Sequence, residues 1–226
     1  MKQKYMVQML SVVDNSAVAV AKINGLKSYL QNVQRHVVGL DYTVIPGETL
    51  LLCVETHCLI IQLESLDCVP NTLKQFLAEV TISFLGTGMT SIVHRLQERA
   101  IQCATGIDVG DLAAVLMKKP NIENYKLAEL AGEIGMDIKE PIDEKRDGEW
   151  PHSNALCFSK EKIKNAMHEV YTSYVIGNKL LDLQSYFELV SACVKFLIHQ
   201  IKNLLLHFSL SLMLYVDRRY NTINLT

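Results

Sequence analysis

The sequence lacks the short motifs that would assign an enzyme class directly. Its 226 residues include six cysteines, but they form no C-x-x-C pair and have no Cys–His spacing typical of a zinc site. There is no H-E-x-x-H, no G-x-S-x-G and no glycine-rich loop ending in Gly-Lys-Ser or Gly-Lys-Thr. The common zinc peptidases, α/β-hydrolases and P-loop nucleotidases are therefore excluded. The cysteines are expected to be reduced, buried thiols of an intracellular protein.

Positive charge is not in excess either. The chain has 22 lysines and arginines against 24 acidic residues, which gives a net charge of −2. Proteins that hold nucleic acid through its phosphates usually carry a basic patch or a basic domain. The composition therefore predicts weak nucleic-acid binding at most. The first residues, MKQKYMVQML, lack a clear apolar segment and cleavage site, so no secretory signal is expected.

No uncharged apolar run is long enough to span a membrane. The most apolar segment covers residues 186–216, but Lys195 and Lys202 interrupt it. The uncharged part, residues 203–216, is shorter than the roughly 20 residues that a bilayer span requires. We expect no membrane span here and favour a helix that packs on the domain or on another subunit. An origin outside the native exons is a third interpretation that the sequence leaves open.

Apolar residues make up 49% of the chain, which is enough for a full core. Apolar runs predict strands, and two of these runs, separated by Glu55-Thr56-His57, predict a hairpin. Because strands come first and helices interleave later, we predict a mixed α/β sheet with helices on its faces. The predicted strands are Tyr5–Val13, His36–Asp41, Thr49–Val54, Cys58–Leu63, Thr81–Leu85 and an extended segment from Ile107. The predicted helices are Ala17–Val33, Pro70–Ala78, Ser91–Ala100, Asp111–Met117, Tyr125–Gly135 and Ser159–Leu183, with a polar loop over 139–159.

The strand predicted over His36–Asp41 ends on a single carboxylate. Its centre, from Val37 to Leu40, has no polar side chain, which is typical of a strand buried on both faces. In open α/β sheets, ligands bind outside the carboxyl ends of such strands. Asp41 is therefore the first candidate for a functional side chain.

The pair Gly86-Thr87-Gly88 lies between a predicted strand and a predicted helix, as in dinucleotide-binding turns. However, it follows a late strand instead of opening the first βαβ unit, and Ser91 stands where the third glycine is expected. A tight strand-to-helix turn is the simpler interpretation. Isolated helical histidines such as His94 and His168 are more often surface or core residues than ligands.

Six blocks of the chain occur in an order and spacing that resemble one family. They are VVGLDYT, TLLLCVETHCLIIQL, LKQFLAEVTISFLGTGMTSIVHRL, IDVGDLAAV, YKLAELAGEIGMDI and KIKNAMHEVYTSYVIGNKLL. Together they resemble the plant Werner-syndrome-type 3′–5′ exonuclease domain, in the ribonuclease D-like, DEDDy branch of the ribonuclease H-like superfamily. The resemblance implies a ribonuclease H-like mixed β-sheet with helices on both faces. It implies an exonuclease-like domain over residues 1–184 and an apolar, helical tail over 185–226.

The resemblance also implies a chemistry, two-metal hydrolysis with Mg²⁺ or Mn²⁺ held by four acids, and a tyrosine that orients the attacking water. This sequence departs from that pattern at nearly every position. Asp41 matches the first acid, but the other positions fall on Thr43, Ile92, Asn165 (for the tyrosine) and Glu169, which is one methylene longer than aspartate. Other family features remain, namely Gly86, Gly88, Asp108, Trp150 and Tyr171.

Three functions follow from these departures. The first is a pseudo-nuclease with lost or strongly impaired hydrolysis that still binds single-stranded or 3′-end nucleic acid, with Asp41 and Glu169 as a weak metal site or with no metal. The second is an interaction subunit that forms homo- or hetero-oligomers with related exonuclease-domain proteins. The third is an active nuclease with an altered metal site. The family and the reduced cysteines lead us to expect a nuclear or cytoplasmic protein. An idle Asp41 and a merely solvated Glu169 are the simplest alternative.

Overall fold

The computed structural model of the chain describes residues 9–44, 47–138 and 163–185. The chain divides into two compact units, Met1–Leu180 and Leu181–Thr226. Four predictions fall outside the described residues. They are the start of the first strand (Tyr5–Gln8), the polar loop with Trp150, the first turn of the last helix and the tail after residue 185. Within the described residues, no helix is both long enough and apolar enough to cross a membrane.

The described strands form one mixed sheet in the order β1-β4-β3-β2-β5-β6. The pairs β2–β3 and β3–β4 are antiparallel, whereas β1–β4, β2–β5 and β5–β6 are parallel. Strand β2 is central and joins the hairpin half to the parallel half. The strands are β1 Met9–Val13, β2 Val37–Thr43, β3 Thr49–Val54, β4 His57–Gln62, β5 Ser83–Gly86 and β6 Gly106–Asp108.

The helices follow the predicted order, with shifts at their ends. They are α1 Ser16–Leu30, α2 Asn71–Leu77, α3 Met89–Glu98, α4 Val109–Met117, α5 Leu127–Glu133 and α6, which covers residues 163–185. Helix α1 is capped by Asn15, whose side chain accepts a hydrogen bond from the Val18 N–H at 2.9 Å. Strand β2 runs two residues beyond the predicted end at Asp41, because Tyr42 and Thr43 pair with β3.

One face of the sheet packs against α1, α2 and α3. Alternate side chains of β2, here Val38, Leu40 and Tyr42, lie on this face. The helices contribute apolar side chains that are almost fully buried, among them Ile23, Phe76, Ile92 and Leu96. Most of the core therefore lies between this face and the three helices.

The opposite face of the sheet is covered by the part of α6 that belongs to the first unit. Val170 packs there with Leu51 and Ile60 of the hairpin. Gly39 of β2 lies so close to α6 that a Cβ atom would be 2.5 Å from the Val170 carbonyl oxygen. Gly177 of α6 has the same relation to β5, since a Cβ there would be 2.3 Å from a Leu85 methyl group. The predicted α/β class, a mixed sheet with helices on both faces, is confirmed.

We expect Gly39→Ala to lower the free energy of unfolding by about 1–3 kcal/mol, the usual cost of overpacking a core. The added methyl group meets backbone of α6, which cannot rotate away as a side chain can. Chemical denaturation measures the change. Gly25→Ala is the matched control, because no atom lies within 4 Å of a Cβ at this position. That change should raise stability by about 0.5–1 kcal/mol as a helical Gly-to-Ala exchange. Equal effects of the two variants would contradict the close approach of α6.

Candidate functional site: a strand carboxylate facing a helix carboxylate

Asp41 lies near the carboxyl end of the central strand β2. Its neighbours Leu40 and Tyr42 are buried in the core on the α3 side. Because side chains alternate along a strand, Asp41 and Thr43 lie on the other face, the one covered by α6. Both are half-buried. The structure therefore places the candidate acid on the face that carries the last helix.

Glu169 lies on α6, directly before the buried Val170 that anchors the helix to the sheet. The residue is exposed, yet desolvation by the surrounding protein and the charge of Asp41 both raise the pKa of its carboxyl group. An effect of Asp41 on Glu169 requires that the two carboxyl groups lie near each other. The structure thus brings together the two acids that the sequence retained.

The Asp41 carboxyl group has a defined local partner. The Tyr42 backbone N–H donates to its Oδ1 at 2.8 Å. Burial raises the pKa of Asp41, and the hydrogen bond from Tyr42 lowers it in part. The net direction is upward, so the site disfavours the ionised form of Asp41 relative to an exposed aspartate.

The three positions where the sequence departs most from the resembled pattern differ in their surroundings. Ile92 is only 5% exposed and belongs to the core between α3 and the sheet. Asn165 is exposed on α6, four residues before Glu169, and therefore on the same side of the helix. Thr43 is half-buried at the end of β2 and pairs in register with Thr49. Of these three residues, only Ile92 lies in the apolar core.

Two residues that match the resembled pattern, Tyr171 and Asp108, have structural contacts. Tyr171 is half-buried and packs against the β3–β4 cluster below α6. Asp108 caps α4, where its Oδ1 accepts from the Gly110 N–H at 2.9 Å. Its Oδ2 accepts from the N–H of Met89, the first residue of α3, at 3.2 Å. The Asp108 carboxylate thus accepts hydrogen bonds from N–H groups at the starts of α3 and α4. A negative charge is favourable at helix N-termini.

The glycine turn acts as a connector. A Cβ at Gly86 would lie 2.3 Å from the Leu40 carbonyl oxygen, and Gly88 has a positive φ of 65° just before α3. The lack of space at Gly86 and the positive φ at Gly88 both favour glycine. A tight strand-to-helix turn therefore accounts for both residues without a bound ligand. Clefts of about 670 and 410 Å³ flank α3 and are lined by residues such as His94 and Arg95. Neither cleft is lined by Asp41 or Glu169.

The donor set does not fit a two-metal centre. Mg²⁺ and Mn²⁺ prefer several oxygen ligands, carboxylates above all. Over residues 9–44, 47–138 and 163–185, no group of three or more His, Cys, Asp or Glu side chains is placed to hold a metal ion. Ile92 brings an apolar side chain to the position where the family resemblance implies an acid. Asp41 and Glu169 remain a pair, and a pair is too few for two divalent ions.

Solved structures that resemble this chain include crystal structures of the EXD2 exonuclease domain. The structure soaked in Mn and Mg is 20% identical, has a TM-score of 0.44, and the match covers 81% of this chain and 94% of that chain. The structure soaked in Mn and GMP is 20% identical and has a TM-score of 0.45, and the match covers 79% of this chain and 93% of that chain. The structure soaked in Mg and dGMP is 20% identical and has a TM-score of 0.45, and the match covers 81% of this chain and 94% of that chain. No protein-family model and no curated protein matches the chain. At this identity and TM-score, the likeness assigns no activity.

We expect Asp41→Asn to lower the pKa of Glu169, because the neighbouring negative charge is one of the two causes that raise it. Carboxyl carbon chemical shifts, followed against pH by NMR, measure this pKa. Asp67→Asn is the control, since Asp67 is an exposed acid on another part of the surface. An unchanged Glu169 pKa in the Asp41 variant would show that the two carboxyl groups do not interact.

We expect the same Asp41→Asn change to raise the free energy of unfolding at neutral pH. The folded-state pKa of Asp41 is raised, so the ionised carboxylate weakens the fold at pH values above that pKa. The gain should shrink as the pH falls below about 3.9, the ordinary aspartate pKa, because the carboxyl group is then protonated in both states. Urea denaturation at pH 7 and pH 3 tests the sign. A variant that is less stable at pH 7 would contradict it.

Proposed function

We propose that this chain is a 3′–5′ exonuclease-type domain that has lost, or strongly reduced, two-metal hydrolysis and that still binds single-stranded or 3′-end nucleic acid weakly. Six sequence blocks and the order of the sheet support the relationship to nucleases. The observation that carries the loss of activity is the place of Ile92, buried in the core where an acid ligand is expected.

The chemistry explains why the remaining pair is insufficient. In two-metal hydrolysis one ion generates the attacking hydroxide and the other stabilises the leaving oxygen. Both ions depend on carboxylates placed to a fraction of an ångström, and errors near 1 Å cost on the order of 10²-fold in rate. Asp41 and Glu169 can hold a proton or weakly attract one cation. They leave neither the hydroxide nor the leaving group with a complete set of ligands.

Binding of nucleic acid is proposed at low affinity. The net charge of −2 leaves no general attraction to phosphates. Without a general attraction, binding depends on base stacking and on a few phosphate contacts. Because of the phosphate contacts, the affinity falls as the salt concentration rises. Fluorescence anisotropy with single-stranded DNA and RNA at about 50 and 200 mM salt measures it.

The decisive experiment is a nuclease assay on single-stranded and recessed 3′ ends with Mg²⁺ and with Mn²⁺. We expect the unmodified chain to release nucleotides at least about 10²-fold more slowly than a variant with restored site residues. The restored variant carries Thr43→Glu, Asn165→Tyr and Glu169→Asp together with Ile92→Asp. Mn²⁺ binding, followed by electron paramagnetic resonance, gives a second readout that does not require turnover.

Controls separate loss of ligands from loss of folding. Ile92→Asp places a charge in the core, which costs several kcal/mol, so the restored variant is compared with the same set carrying Ile92→Asn. Metal-dependent cleavage by the unmodified chain that Asp41→Ala abolishes would overturn the proposal in favour of an active, altered site. A chain that neither cleaves nor binds nucleic acid, yet elutes as an assembly on size exclusion, would favour an interaction subunit.

A further inference from the structure

Two buried thiols face each other in the hairpin below α6. Cys53 of β3 and Cys58 of β4 are paired in register, and their sulfur atoms lie 2.9 Å apart. Both belong to the cluster that contacts Val170 of α6. Cys53 is fully buried and Cys58 is 4% exposed. These two thiols have no part in the carboxylate pair described above.

The backbone already has the geometry that a disulfide needs. A two-residue turn, Glu55-Thr56, joins the strands, and Glu55 adopts a positive φ of 49° there. In such a hairpin the closing pair, Val54 and His57, is hydrogen-bonded, and the next pair along is not. Side chains of a pair that is not hydrogen-bonded approach most closely, within the range that a disulfide bridges. The Cys53–Cys58 pair therefore needs only a shift of side-chain atoms.

We propose that Cys53 and Cys58 form a reversible thiol–disulfide site. The oxidant is a disulfide of another molecule, R–S–S–R, such as oxidised glutathione. The Cys58 thiolate attacks one sulfur of that disulfide, forms a mixed disulfide and releases R–S⁻, which takes up the proton. The deprotonated Cys53 sulfur then attacks the Cys58 sulfur and expels the second R–S⁻. Overall the protein loses two electrons and two protons, and R–S–S–R becomes two R–SH.

Helix α6 covers the two thiols, so the site reacts slowly with an external disulfide. The hydrogen bond with Cys58 and burial raise the pKa of Cys53 far above its usual range, so its thiolate is scarce in the closed structure. The exposed Cys68 reacts more readily with a single disulfide but has no opposing sulfur in the hairpin. Burial also raises the pKa of Cys103, to about 11. Among these four thiols, the proposed intramolecular disulfide therefore forms only between Cys53 and Cys58. Its formation is faster when α6 moves away from the sheet and exposes the pair.

Peptide mapping of the whole chain tests the proposal directly. The reduced protein is incubated with oxidised glutathione and then unfolded in acidic guanidinium, which stops thiol exchange. Its remaining thiols are blocked with a maleimide in the denaturant, and the chain is digested by a glutamate-specific protease. Cleavage after Glu48, Glu55 and Glu64 places Cys53 in the peptide 49–55, Cys58 in 56–64 and Cys68 in a third peptide. We expect peptides 49–55 and 56–64 to be linked, 2 Da lighter than their sum, and separated again by dithiothreitol.

The rate and the variants provide independent checks. Formation of the linked peptide should accelerate at least tenfold in a low, non-denaturing concentration of urea, which promotes local opening. Oxidation should raise the melting temperature by about 5 °C, since it closes a short loop of the unfolded chain. Cys53→Ser should remove the linked peptide and the temperature shift, whereas Cys68→Ser should keep both.

Two outcomes would overturn the proposal. One is full maleimide labelling of Cys53 and Cys58 after oxidation of the unmodified chain, which needs no variant to fold. The other is linkage of either residue to Cys68 or Cys103 in place of the hairpin partner. Either result would leave the pair as ordinary buried core thiols.

Discussion

The close approach of α6 to the central strand is the constraint on which the rest of the structure depends. Gly39 has no side chain, and this lets the Val170 backbone lie directly on β2. Gly177 does the same one strand away, over Leu85. The two contacts fix how far the helix lies from the sheet. They bring Glu169 close enough to Asp41 to experience its charge, and they keep α6 over the hairpin thiols.

This constraint links packing to electrostatics. A helix pressed against the sheet removes water from the space between them, and each carboxyl group there loses part of its hydration. The pKa values of Asp41 and Glu169 rise for this reason, and the charge of Asp41 raises the pKa of Glu169 further. In an intact two-metal site, cations would offset such repulsion. Here protonation is the available means of relieving it.

Much of the fold follows from local sequence patterns. The hairpin was predictable because two apolar runs flank a short polar turn, and the α1 cap was predictable because Asn15 is a favoured capping residue. The end of β2 and the start of α3 were not predictable from local patterns, because each depends on a residue that is distant in the sequence. Strand β2 continues to Thr43 because Thr49 pairs with it, and α3 begins at Met89 because the Asp108 carboxylate receives its first N–H.

The candidate site was predictable in part. The family resemblance identified Asp41, Glu169 and the three substituted positions, but sequence alone treated Thr43, Ile92 and Asn165 as equivalent losses. The structure separates them, since only Ile92 lies in the core. The facing cysteines were missed because their spacing matches no cysteine motif. Their contact depends on the register of two strands, which a linear pattern does not reveal.

The burial of Ile92 also bears on how freely the side chains at the candidate site can vary. Positions 43, 165 and 169 lie at half-buried or exposed places, where an exchange of side chains leaves the core intact. Position 92 does not, because an acid there must first be accommodated by changes in its apolar neighbours. The isoleucine at position 92 therefore contributes to core packing and restricts this position to apolar side chains. Under the function proposed above, a metal centre would need several coordinated substitutions and not a single one.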